Sequence, residues 1–141
     1  FNELTVMEMY EIARSRFEVF AMEQKIIQEP ELDGIDNECY QVFYMDNNRV
    51  VAYCRIVPAG IAYDNISLGR VLVLNDYRRK GLAQIMIKEA LKFIKEELKE
   101  DTVVLSGQVY AKGLYESVGF KAISDVYDEV HIPHVKMKIE L

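Results

Sequence analysis

Three consecutive basic residues, Arg78-Arg79-Lys80, stand directly before Gly81-Leu82-Ala83 in a chain whose net charge is -6. The apolar spacing that follows predicts a helix beginning here, and the positive end of a helix dipole disfavours cations. A local stability rule broken in this way often marks a functional site. Free N–H groups at a helix end, a glycine that allows close backbone approach and flanking cations together suit a bound phosphate group. The run therefore predicts a polyanion site.

Composition limits the classes of protein that this chain can represent. Half of its 141 residues are apolar, which predicts one globular domain over residues 1–141. The acidic balance argues against nucleic acid as a partner, and no apolar stretch approaches the ~20 residues of a membrane span. Cys39 and Cys54 have neither disulfide nor metal-site spacing, so we expect two reduced thiols and no metal. These features favour a cytoplasmic protein.

The order of periodic segments predicts a mixed α/β domain. A capping box at Thr5 begins a helix that continues to about Gln24, with a core stripe that includes Tyr10, Phe17 and Phe20. The strand-like segments are residues 40–44, 49–57, 68–74, 102–106 and 134–139, of which the first two form a hairpin, and further helices span residues 82–98 and 109–118. Residues 26–48 contain no Lys or Arg and predict a long, solvated acidic connection.

Neither a Walker loop nor a dinucleotide fingerprint occurs, which disfavours ATP and NAD. Instead Arg78-x-x-Gly81-x-Ala83 matches the (Q/R)-x-x-G-x-(G/A) signature of the GNAT (Gcn5-related N-acetyltransferase) superfamily. The preceding strand, the next strand-to-helix unit and residues 114–120 (LYESVGF), which resemble the family's FYEKLGF segment, follow in the family's order. We therefore identify the chain as resembling this superfamily.

Further segments narrow the resemblance to the ElaA-like branch and extend it over essentially the whole chain. They are residues 17–24 (FEVFAMEQ), 68–71 (LGRV), 126–129 (VYDE) and 132–134 (IPH). The resemblance implies a GNAT fold, in which a central, mostly antiparallel mixed sheet is splayed at an acetyl-CoA site and flanked by helices. It implies acetyl-CoA as co-substrate but does not name the acceptor amine.

The resemblance also implies which residues hold the donor. Leu72 and Val73 are expected to pair with the pantetheine amides, and the N–H groups of residues 79–83 with the pyrophosphate. Gln108 stands where many members carry Asn, which puts that cofactor hydrogen bond in question. The full predicted set is Val71, Leu72, Val73, Arg78, Arg79, Lys80, Gly81, Leu82, Ala83, Gln108 and Tyr115.

On the family's pattern a neutral amine attacks the thioester directly, and the Val73 N–H holds the developing oxyanion. Tyr115 matches the general acid, because a phenol with a reference pKa of ~10 stays protonated when a thiol of ~8.5 leaves. A packed tyrosine is the alternative. For the base, Glu23, Glu38 and His134 stay open. A surface ion pair is the alternative for Glu23, and a hydrogen-bonded structural histidine for His134.

The acceptor is expected to be a small-molecule or peptide amine, and the alternatives run from polyamines and aminoglycosides to lysine side chains. An acidic rim of Glu29, Glu31 and Asp33 would concentrate such a cation, although a solvated loop is the simpler interpretation. Family members often pair, so a homodimer stays open. Two further functions compete with the enzyme, namely an acyl-CoA sensor without turnover and an interaction module that has lost the cofactor.

Overall fold

Seven strands form one mixed sheet in the computed structural model, which describes residues 1–141. They are β1 (Tyr40–Asp46), β2 (Arg49–Val57), β3 (Ile66–Val73), β4 (Thr102–Gln108), β5 (Lys121–Ala122), β6 (Tyr127–Glu129) and β7 (Ile132–Glu140). The strand order is β1-β2-β3-β4-β7-β5, and β6 pairs with β7. Only the β3–β4 pair is parallel. The predicted mixed, mostly antiparallel sheet is confirmed.

Helices flank the sheet. They are α1 (Val6–Arg16), a π-helical segment (Phe17–Glu23), α2 (Leu82–Glu96) and α3 (Lys112–Ser117), with 3-10 turns at Asp36–Glu38, Asn75–Tyr77 and Val109–Ala111. The capping box at Thr5 is present, since its hydroxyl accepts the Glu8 N–H and the Glu8 carboxylate accepts the Thr5 N–H. None of the helices combines the length and apolar character that crossing a membrane requires.

The first helix buries only part of the predicted stripe. Phe20 is buried as predicted, but Tyr10 and Phe17 are exposed. Ile12 and Arg16, which were not predicted, are fully buried. The last turns are π-helical rather than α-helical, as the Gln24 N–H bond to the Val19 carbonyl shows, and this wider winding changes which residues face the sheet. Apolar residues lie on both sides of this helix, so periodicity alone did not distinguish the buried side.

The sheet separates two cores. On the face that carries α2 and α3, called the α2 face, Cys54 and Leu68 pack against residues such as Met86. On the face that carries α1 and the π-helical segment, called the α1 face, Tyr53 and Leu72 pack against residues such as Ile12 and Phe20. Side chains alternate along a strand, so Tyr53 and Cys54 must point to opposite faces.

The two central strands separate where β3 bulges. β3 and β4 pair only through Ile66 with Val103 and Ser67 with Val104. Three steps along β3, from Gly69 to Leu72, oppose two steps along β2, and Arg70 within them has a φ of 53°. This extra residue reverses the alternation along β3 and opens a gap toward β4. The predicted splay is present.

The remaining predictions concern short elements. The hairpin of β1 and β2 is confirmed, with Asn47 and Asn48 in the left-handed conformation at its turn. The predicted helix over residues 109–118 is a 3-10 turn followed by α3, and β5 and β6 were not predicted. Cys39 and Cys54 are free thiols, and both are buried.

Candidate active site

The gap between β3 and β4 holds a cavity of about 640 Å³ that is lined from both faces of the sheet. Tyr115, Leu105 and Leu114 line it from the α2 face, while Phe20 and His134 line it from the α1 face. A molecule that enters from one face can therefore meet a molecule that enters from the other within the gap.

The basic turn before α2 presents unused backbone donors. Arg79 has a φ of 65° and Gly81 a φ of 75°, and no side chain caps α2. A Cβ added at Gly81 would meet no protein atom within 4 Å, so the conformation, rather than a clash within the protein, requires glycine there. Arg79 and Lys80 are exposed, and neither forms a salt bridge. The turn thus combines free N–H groups with two available cations.

Arg78 points away from that turn. Its Nε donates to the Val73 carbonyl at 2.8 Å, and its two terminal nitrogens donate to the Glu23 carboxylate at 2.6 and 2.9 Å. The hydrogen bond from Arg78 to Glu23 is the largest cause of the raised pKa of Arg78. Arg78 therefore joins the end of β3 to the π-helical segment. For Glu23 this geometry favours the alternative interpretation, an ion pair.

At the end of β3, every second residue turns its backbone N–H and C=O groups away from β2 and toward the gap. The Leu74 N–H donates to the Val51 carbonyl at 2.9 Å, and Leu72 stands opposite Tyr53 in the same ladder. Alternation therefore turns the backbone groups of Leu72 toward β2 and those of Val71 and Val73 toward the gap. Of the two residues predicted to pair with pantetheine amides, Val73 has the required orientation. Leu72 does not, because its N–H and C=O belong to the β2 ladder.

Tyr115 is held at the gap by close packing. It is 6% exposed, and its ring meets Phe120 edge-on with 6.1 Å between ring centroids. A Cβ added at Gly107 would lie 2.9 Å from Tyr115 Cε2, so β4 admits the tyrosine ring only because residue 107 is glycine. Burial raises the pKa of Tyr115 well above that of a free tyrosine, with charge interactions from Cys54 and Tyr110 as smaller causes. The phenol is therefore protonated at neutral pH.

His134 lines the opposite side of the cavity and is 5% exposed. Its Nδ1 lies 2.7 Å from the Ile132 carbonyl, and its Nε2 lies 3.2 Å from Glu129 Oε2. Glu129 was not among the predicted site residues. Of the other predicted base candidates, Glu38 is exposed and lies outside the cavity lining, and Glu23 is paired with Arg78.

Glutamines bridge the end of the π-helical segment to the end of β4. Gln108 Nε2 donates to Gln24 Oε1 at 2.9 Å, and Gln24 Nε2 donates to the Tyr110 hydroxyl at 3.3 Å. Gln108 lines the cavity, but its amide is bonded to Gln24, and its contact with the cofactor stays a prediction.

The acidic connection is only partly the solvated loop that was predicted, since Glu29 and Glu38 are exposed but Asp36 is buried. Its carboxylates bind arginines from three different elements, which together form what we call the arginine–acid cluster. Arg16 is fully buried and donates to Glu31 at 2.7 Å and to Asp36 at 2.6 Å. The other members are Arg55, which binds Asp33 and Asp36, and Arg70, which binds Glu31 and Asp33.

This cluster changes the electrostatics expected of the acidic rim. Three arginines face three carboxylates, so their formal charges cancel. The hydrogen bond from Arg55 is the largest cause that lowers the pKa of Asp33, to about 2. Of the three proposed rim residues, only Glu29 forms no salt bridge. A signal was present in the sequence, because Arg55 interrupts the apolar run of β2 and a buried arginine requires acidic partners.

Comparison with known proteins identifies relatives along the whole length of the chain. Residues 10–141 match the family model described as an acetyltransferase (GNAT) domain. A UPF0039 protein of Schizosaccharomyces pombe is 43% identical over 143 residues, covering 100% of this chain and 93% of that protein.

Two solved structures share the fold. The crystal structure of Escherichia coli ElaA is 28% identical, with a TM-score of 0.89 over 99% of this chain and 94% of that one. An acyl-CoA N-acyltransferase from Pseudomonas aeruginosa is 29% identical, with a TM-score of 0.88 over 98% and 93% of the two chains. These likenesses confirm the predicted fold and the resemblance to the ElaA-like branch.

Proposed function

This chain belongs to the GNAT acetyltransferase family, and from that premise we propose that it transfers an acetyl group from acetyl-CoA to a primary amine by direct attack within a ternary complex. The observation that carries the proposal is the cavity between β3 and β4, which residues of both sheet faces line. A donor on the α2 face and an acceptor on the α1 face can meet there without a covalent intermediate on the protein.

The residues around the gap fit coenzyme A. The uncapped start of α2, with Gly81 at a φ of 75° and exposed Arg79 and Lys80, offers N–H groups and positive charge to a pyrophosphate. Val71 and Val73 turn backbone groups into the gap, where an extended amide chain can pair with them. Leu82 and Ala83 line the same cavity. Acetyl-CoA supplies an activated thioester as co-substrate.

Two groups of this chain suit the chemical step. The Val73 N–H points into the gap and can donate to the oxygen that gains negative charge during attack. Tyr115 Oη carries a proton at neutral pH and can donate it to the departing sulfur. Neither role requires a nucleophilic serine or cysteine. Use of acetyl-CoA favours a cytoplasmic location, and we treat residues 1–141 as one domain.

The deciding experiment is a thiol-release screen of purified protein with acetyl-CoA against a library of primary amines. Amine-dependent release of coenzyme A, with the acetylated amine identified by mass spectrometry, would support the enzyme and name its acceptor class. Tight binding of acetyl-CoA without release for any amine would favour the sensor instead. Absence of binding in calorimetry would leave only the interaction module.

A single variant then tests the assigned acid. Tyr115→Phe is expected to lower turnover by ~10- to 10⁴-fold with little change in acetyl-CoA affinity, the range for losing acid–base assistance. Tyr10→Phe, on the exposed side of α1, is the matched control and should leave turnover unchanged. Equal turnover in the two variants would remove Tyr115 from the mechanism.

A further inference from the structure

His134 and Glu129 present two acceptor atoms to the cavity. The Ile132 carbonyl can only accept, so the Nδ1 of His134 donates to it and the neutral ring keeps its lone pair on Nε2. That lone pair lies 3.2 Å from Glu129 Oε2, which is also an acceptor. An ammonium that approaches from the cavity can donate one N–H bond to each of these two acceptors. The pair therefore suits an incoming ammonium group.

The surroundings hold the ring in this orientation. His134 is 5% exposed, and its ring stacks on Tyr127 with 6.3 Å between centroids. On β7 itself the basic residue closest in sequence is Lys136, whose Nζ lies 4.7 Å from the centroid of the Tyr63 ring. From β4 the facing residue is the neutral Gln108. Glu129 supplies the carboxylate at Nε2, and its side chain is 43% exposed, so it can exchange protons with solvent.

His134 and Tyr115 act from opposite faces of the sheet. Gly107 packs against Tyr115 and pairs with Val135, which belongs to the α2-face core. The next pair along the ladder, Gln108 with His134, therefore points to the α1 face. Tyr115 and His134 therefore border the same cavity from opposite faces of the sheet.

We propose that His134 and Glu129 together bind the acceptor as an ammonium ion and remove its proton, with His134 Nε2 as the base and Glu129 as the second acceptor. The inference rests on the proposed function. One N–H bond of the ammonium breaks, its electron pair stays on nitrogen and the proton moves to Nε2. The imidazolium then pairs with Glu129, which passes the proton to solvent.

The remaining bonds balance. The nitrogen lone pair forms the C–N bond, the C–S bond breaks, and the thiolate takes the proton of Tyr115. The second proton that nitrogen loses as the amide forms replaces the one that Tyr115 gave. The net products are amide, free thiol and one proton released to solvent. The class of acceptor selected in this way is an amine that arrives protonated.

Direct binding tests the site without turnover. The chain has two histidines, and His131 is exposed, so their ring NMR signals report the site and an internal control in one sample. With coenzyme A present, butylammonium chloride is expected to shift the His134 signals saturably and to leave those of His131 unchanged, whereas butanol should shift neither. Glu129→Gln should weaken butylammonium binding at least about tenfold, since a charge-assisted hydrogen bond is lost. Unmoved His134 signals would overturn the proposal even if thiol release succeeds.

The pH dependence of the rate tests the base. With butylamine and acetyl-CoA at pH 7, His134→Gln should lower kcat/KM by ~10²- to 10⁴-fold, and His131→Gln should not change it. The deficit should shrink as pH rises, because free amine then replaces ammonium. It should also be small with methoxyamine, which is neutral at pH 7. A deficit equal at all pH values and for both amines would show a merely structural histidine. Ammonium binding without any thiol release would instead count against the proposed function.

Discussion

The basic turn before α2 and the arginine–acid cluster place the same kind of residue in opposite circumstances. Arg79 and Lys80 are exposed, without carboxylate partners, beside unused backbone donors. Arg16 is fully buried and bound to Glu31 and Asp36. A cation whose hydrogen bonds are all made within the protein stabilises the fold, whereas a cation left unpaired beside free N–H groups is available to a ligand. Partners, rather than charge alone, therefore distinguish a scaffold from a binding site.

The largest expected effect comes from breaking the cluster. Arg16→Met should lower the free energy of unfolding by about 3–5 kcal/mol, because two carboxylates lose a buried partner. Arg79→Met should change it by no more than about 0.5 kcal/mol, as for most surface substitutions. Urea unfolding of the two variants provides the measurement. Similar losses in both would erase the distinction between the two regions.

Gly107 and Gly81 extend the comparison, because Gly107 packs against Tyr115 whereas a side chain at Gly81 would meet no neighbouring atom. Gly107→Ala should cost about 1–3 kcal/mol and reduce turnover, because the new methyl group displaces the Tyr115 ring. Gly81→Ala meets no neighbouring atom and should cost only the about 1–2 kcal/mol of a left-handed alanine. Thermal unfolding and turnover, measured together, separate the two. Full activity in Gly107→Ala would show that the position of Tyr115 does not matter.

Removing the two exposed cations of the basic turn should weaken the binding of coenzyme A. The double variant Arg79→Met/Lys80→Met is expected to raise the Kd for coenzyme A about tenfold, or ~1.4 kcal/mol, and to flatten its dependence on salt. Lys88→Met, on the exposed surface of α2, serves as the matched control and should leave both unchanged. Calorimetry at two salt concentrations is the measurement. An unchanged Kd in the double variant would return the phosphate role to Arg78.

The smallest effect is a pH-dependent one in the cluster. Asp33 has a pKa of about 2 in the folded protein, below its ordinary value of 3.8, so its stabilising contribution is complete above pH 4 and is lost as pH falls toward 2. Asp33→Asn should therefore be less stable than the native chain by roughly 1 kcal/mol at pH 7, the upper range for a part-exposed pair. The difference should vanish near pH 2. Asp125→Asn, an exposed control, should show no such trend.

Local signals predicted most of the elements. Thr5 and Glu8 indicated the first helix, Asn47 and Asn48 the hairpin, and Gly81 the start of α2. The prediction erred where contacts between distant segments decide the outcome. Arg16 is buried because Glu31 and Asp36 fold back on it, 15 and 20 residues away, and no helical period encodes that pairing.

The candidate site shows the same division. The motif around Arg78 and Gly81 predicted the basic turn before α2, and residues 114–120 predicted the short helix that carries Tyr115. The pairing of Arg78 with Glu23 depends on a contact between distant segments, and the approach of Glu129 to His134 depends on the β6–β7 hairpin. The β2-facing backbone of Leu72 depends on strand register, and a shift of one residue would reverse it.

The family, the order of helices and strands and the basic turn with its glycine could be determined from the sequence alone, because each depends on residues that lie near one another in the chain. The tertiary structure determines which cations remain unpaired and which acceptor atoms face the gap. Charge and hydrogen-bonding capacity are properties of a residue, but whether they are already satisfied depends on partners brought close by folding.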